Sequence, residues 1–84
     1  MRRNTADEWL INKVAELKKS GINEFMCTTW NGNRYLKPVW RATAQGISSY
    51  ANDVFLKYGE GVSVTVDYYD TKTCDIKGLT YYQA

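Results

Sequence analysis

The chain has 84 residues, 44% of them hydrophobic and 14% aromatic, with a formal charge of +2, no histidine and one proline. That length holds one domain with a single modest core, and the composition excludes a disordered chain. No apolar run reaches the roughly 20 residues of a membrane span and no secretory leader opens the chain, so an intracellular, cytoplasmic protein is expected.

The first element reads as a helix over 6–19, behind four residues expected to fray. Thr5-Ala6-Asp7-Glu8 is a capping-box pattern, with Thr5 as N-cap and Glu8 reaching back. Asp7 and Glu8 suit the positive end of the helix dipole, Lys18 and Lys19 the negative end. Leu10, Val14 and Leu17, joined by Ile11, form the apolar stripe, and Trp9 borders it. Gly21 followed by Ile22 predicts a Schellman stop in which Ile22 meets Leu17.

A hairpin follows, with strands over 24–30 and 34–40. Asn-Gly between segments rich in Thr and aromatics points to a type I′ turn, with positive φ at both central residues. Two registers are open. An Asn31-Gly32 loop sets Thr28 opposite Tyr35, whereas Gly32-Asn33 sets Trp30 opposite Tyr35 as an aromatic pair. Pro38 lacks an N–H and marks an edge or a strand end.

A second helix is expected over 44–58, capped by Thr43 and stopped by Gly59-Glu60-Gly61. Ile47, Tyr50, Ala51, Val54, Phe55 and Tyr58 make its core stripe, and Gly46 leaves room for close approach of the sheet. Val62, Val64, Val66 and Tyr68 then alternate with polar residues as a half-buried strand. After the polar turn 70–73 a strand returns from Cys74, with a bulge or bend at Gly78 because the apolar parity changes there. The order is α-β-β-α-β-β. The expected fold is α+β, two hairpins forming one antiparallel sheet with both helices on one face. The expected core is Leu10, Val14, Leu17, Phe25, Ile47, Ala51, Val54, Phe55, Val64, Val66 and Ile76.

Little here supports catalysis. Without histidine the usual base near neutral pH and the commonest metal ligand are missing. Cys27 and Cys74 read as buried, reduced thiols in strands, bridged only if those strands are neighbours. Asp7 and Glu8 are explained by helix capping. Asp67, Asp70 and Asp75 flank a turn and fit no EF-hand spacing, and no glycine-rich phosphate loop is present. A non-enzymatic protein without cofactor or metal is expected.

Charge and aromatics carry the binding expectation. Residues 1–42 hold eight cations against four anions, a net of +4, and residues 43–84 net −2. The asymmetry implies a dipolar surface able to orient a partner. Three Trp and seven Tyr are a rich supply, and of each adjacent pair, Tyr68-Tyr69 and Tyr81-Tyr82, pleating turns one ring outward. The candidate partner-binding residues are Trp30, Arg34, Tyr35, Lys37, Trp40, Arg41, Tyr69 and Tyr82. As a protein interface they use the residue types that dominate hot spots. As a nucleic-acid interface, Arg34, Lys37 and Arg41 would hold phosphates while the aromatics stack bases. Self-association into a homodimer through an uncovered strand edge is a further option.

In size and format, a compact chain without catalytic groups or leader resembles the small accessory proteins of bacteriophages and mobile elements. Those include inhibitors of host defence such as the anti-CRISPR proteins. The resemblance implies a protein partner in a host defence or regulatory complex and a place in the host cytoplasm. It assigns no residue a role.

Overall fold

In the computed structural model, which describes residues 7–83, the chain folds as α1 (Glu8–Lys19), β1 (Phe25–Trp30), β2 (Val39–Arg41), α2 (Ala44–Tyr58), β3 (Ser63–Asp70) and β4 (Asp75–Gln83). The four strands form one antiparallel sheet in the order β2-β1-β3-β4. Since β2 and β3 both run opposite to β1, they are parallel to each other, and α2 is the crossover joining them. The α+β architecture is therefore the one expected from the sequence. No helix among the described residues is long and apolar enough to cross a membrane.

Local chemistry sets the helix ends. The N-cap of α1 is Asp7, whose carboxylate accepts the Leu10 N–H at 2.8 Å. This corrects the expected start, since a carboxylate three residues before Leu10 already satisfies the orphan donor. The expected Thr5 cap and the frayed first four residues lie outside the described residues. The predicted Schellman stop is present: Ile22 N–H donates to Leu17 C=O and Gly21 N–H to Lys18 C=O, both at 3.0 Å, with Gly21 at φ +90. Thr43 caps α2 by accepting the Gly46 N–H at 2.9 Å. A Cβ on Gly46 would lie 3.0 Å from the Thr43 Oγ1 and 3.3 Å from the Arg41 Cδ, so glycine leaves room for the cap and for a β2 side chain.

One core joins the layers. Leu10, Val14 and Leu17 of α1 and Ile47, Ala51, Val54 and Phe55 of α2 meet Phe25, Cys27, Val62, Val64, Val66, Tyr68 and Leu79 beneath them. Phe25 and Tyr68 pack edge to face with ring centroids 6.4 Å apart. Thr29 is fully buried on this side, and its hydroxyl bonds the Tyr50 hydroxyl at 2.6 Å. Ile11 departs from the expected stripe: it is half exposed, one position off the Leu10–Val14–Leu17 face.

The sheet departs from simple alternation twice. Val66 pairs with Thr80 but Asp67 with Gly78, so Leu79 is an extra residue in β4. The bulge turns Leu79 and Thr80 toward the helices together and sends Ile76 to the other side. Ile76 was expected in the core; it is 62% exposed, while Leu79 is buried. In the first hairpin Trp30 opposes Tyr35, but Cys27 opposes Val39, so one extra residue lies between Leu36 and Val39. Pro38 sits at that irregularity, and the second strand shrinks from the expected 34–40 to Val39–Arg41 at the sheet edge. The turn between its arms has φ +94 at Gly32 and no positive φ at Asn33, which is the type II′ pattern rather than the expected I′. The Asn31 Oδ1 stabilises it by accepting N–H groups of Asn33 and Arg34, both at 2.9 Å.

Candidate functional site: an uncovered sheet face

Both helices cover the same side of the sheet, and among the described residues no element covers the other side. Registers define its rows. Trp40, Met26, Asp67 and Gly78 lie side by side, followed by Thr28, Thr65 and Tyr81, then by Tyr35, Trp30, Ser63 and Gln83. Successive rows are about 7 Å apart, the rise of two strand residues. On the opposite flank of the first row Tyr69 pairs with Ile76. Trp40, Tyr35, Tyr69, Ile76 and Tyr81 are each more than half exposed. Single exposed apolar side chains are ordinary, whereas this group shares one continuous surface. The other large exposed apolar residues, Trp9, Ile11, Leu56 and Tyr58, are spread over the two helices.

The face has two parts. At one end Trp30 and Tyr35 pack edge to face with centroids 4.9 Å apart. This settles the hairpin register in favour of the Gly32-Asn33 loop, and the Asn31 N–H bonds the Arg34 C=O at 3.1 Å accordingly. At the other end a groove of about 230 Å³ is lined by Met26, Trp40, Asp67, Tyr68, Tyr69 and Ile76. Burial raises the Asp67 carboxyl above its ordinary pKa, because partial desolvation disfavours the charged form.

Of the residues expected to bind a partner, Trp30, Tyr35, Trp40 and Tyr69 share this face, with Arg34 in the adjoining turn and Lys37 exposed in the irregular segment after it. Arg41 and Tyr82 lie on the helix side. Arg41 pairs with Phe25; its guanidinium lies 5.4 Å from the centre of the Tyr50 ring and donates to the Trp40 C=O at 2.9 Å. Tyr82 pairs with Val64 and packs half-buried against the core, where burial raises its hydroxyl pKa. The extra residue after Leu36 swaps the sides of Trp40 and Arg41. The bulge at Leu79 likewise makes Tyr81, not Tyr82, the outward ring. Met26, Asp67, Ile76 and Tyr81 were missed; alternation with Phe25 and Cys27 could have signalled Met26.

The groups considered for chemistry are dispersed. Asp67 and Asp70 face opposite sides of β3, and Asp70 pairs with Lys77 at 3.0 Å, which lowers the Asp70 pKa and raises that of Lys77. Among the described residues no three His, Cys, Asp or Glu side chains gather where a metal ion could be held. Cys27 is buried, and desolvation lifts its thiol to about 11 although Arg41 pulls it down. Cys74 was expected to be buried in a strand. It is instead exposed in the turn at φ 56, because the loop runs one residue further than expected, and both thiols are free.

Comparison with protein-family models finds no match, and comparison with curated proteins and with solved structures finds no significant similarity.

Proposed function

We propose that this chain is a non-enzymatic protein-binding module that docks through its uncovered sheet face. The observation that carries the reading is the concentration of Trp30, Tyr35, Trp40, Tyr69, Ile76 and Tyr81 on one surface that neither helix covers. Large rings with few rotatable bonds lose little entropy on binding and bury much area, which is why Trp and Tyr dominate interface hot spots. Its small size fits an accessory protein of a phage or mobile element that obstructs a host defence or regulatory complex in the host cytoplasm.

Nucleic-acid binding is the weaker reading. Arg41 is turned from Trp40 to the helix side, and the centre of the bare face holds the carboxylate of Asp67 rather than a cation. Arg34 and Lys37 alone make a small electrostatic footprint. A second copy of the chain could pair along the β4 edge, and light scattering over a wide concentration range separates that case from a foreign partner.

Affinity capture from lysate of the source cell, with wild type and Trp40→Ala/Tyr69→Ala in parallel, tests the reading. The variant should lose a partner that the wild type and a Leu56→Ala control both retain. Identical captures by all three would overturn it. Binding of DNA or RNA at about 50 mM salt that falls steeply as salt rises would favour the nucleic-acid reading instead.

A further inference from the structure

Asp67 is an odd residue for the centre of an apolar groove. It lies in the row between Met26 and Gly78, with Trp40, Tyr69 and Ile76 around it. Among the described residues no hydrogen bond or ion pair reaches its carboxylate, whereas Asp70 on the same strand is held by Lys77. A Cβ on Gly78 would stand 3.7 Å from the Asp67 Oδ1, so glycine at that cross-strand position leaves the flank of the carboxylate open. A charge left unpaired in partly desolvated surroundings costs stability in the free protein, and a partner that supplies the counter-charge recovers that cost.

We propose that the groove receives an arginine side chain of the protein partner, with Asp67 accepting from the guanidinium and Trp40 and Tyr69 flanking its plane. The charge complementarity is specific. A guanidinium is flat, weakly hydrated, able to stack on aromatic rings and able to bond a carboxylate with two parallel N–H donors. The apolar walls of Met26 and Ile76 suit the aliphatic stem of the same side chain. The inference rests on the protein-binding reading and names the chemistry that the partner presents.

Titration of the full chain with N-acetyl-arginine amide, followed by NMR at the Met26 methyl and the Trp40 indole N–H, tests it directly. Saturable shifts at both signals are expected, with the exposed Trp9 indole unmoved. Asp67→Asn should weaken binding about tenfold, the scale of one charge-assisted hydrogen bond, and N-acetyl-citrulline amide should bind wild type about tenfold more weakly. The citrulline comparison needs no variant and stands whatever the substitution does to folding. Equal binding of citrulline, an unchanged affinity in a folded Asp67→Asn, or no saturable shift would each overturn the proposal. In the lysate capture, a partner lost by Trp40→Ala/Tyr69→Ala but kept by Asp67→Asn would overturn the arginine assignment and leave the docking face standing.

Discussion

The bulge at Leu79 decides which side chains form the bare face, and that choice has an energetic signature. If β4 paired without the extra residue, the Val66–Thr80 register would continue and place Ile76 opposite Asp70, on the helix side. With the bulge, Leu79 is 8% exposed and Ile76 62% exposed. Leu79→Ala removes buried methyl groups at a sheet edge where neighbours can relax, so a cost near the low end for core leucines, about 2–3 kcal/mol, is expected. Ile76→Thr keeps the β-branch. It gives up apolar cover over little more than a third of the residue, which scales full burial down to about 0.5–1 kcal/mol. For a domain of this size the melting temperature should fall by about 10–20 °C in the first variant and about 5 °C in the second. Urea unfolding followed by far-UV circular dichroism, with one slope shared by both variants, reads the difference. An Ile76→Thr cost equal to that of Leu79→Ala would refute the bulged register, and with it the outward placement of Ile76.

Three further outcomes are expected. Tyr50→Phe strands the fully buried Thr29 hydroxyl and should cost about 1–3 kcal/mol, more than Thr29→Val, because the half-buried Tyr50 hydroxyl can turn to water; equal costs in thermal melts would deny the asymmetry. A thiol probe should modify Cys74 in the folded protein at once and Cys27 only on unfolding, since burial lifts the Cys27 thiol to about 11; two fast thiols in the native state would contradict the burial of Cys27. Asp67→Asn should be at least as stable as wild type at neutral pH. A carboxyl whose folded pKa is raised binds its proton more tightly when folded, so wild type loses stability as pH rises from the unfolded pKa through the folded one. The difference between the two proteins should vanish in acid, where Asp67 is protonated in both states, and a variant markedly less stable at neutral pH would reverse the sign.

The elements legible in the sequence are those whose causes are local. The Leu10–Val14–Leu17 stripe, the Gly21-Ile22 stop and the Thr43 cap each depend on residues within a turn or two, and each is found. The alternation of Val62 to Tyr68 is equally local and equally faithful. The departures arise where a partner strand decides. Whether Ile76 faces in depends on how β4 accommodates Val66 and Asp67, and nothing near Ile76 in sequence records that. The extra residue between Leu36 and Val39 likewise decides that Trp40 rather than Arg41 joins Trp30 and Tyr35, although both sit in one basic, aromatic stretch. Half of the expected binding residues, Trp30, Tyr35, Trp40 and Tyr69, lie on the bare face because hairpin pairing and strand parity place them there. Asp67 could not be singled out from the sequence, since its importance comes from Trp40, Met26 and Ile76, which reach it from three different strands.

Partners of this chain should meet the bare sheet face. A photo-crosslinking amino acid placed at Tyr69, at Tyr81 or at Leu56 on α2, all exposed in the free chain, tests this in the source cell. Tyr69 and Tyr81 should join the chain to one and the same protein, and Leu56 should not. Crosslinks to that protein from Leu56 alone, or from all three positions alike, would contradict the assignment of the face.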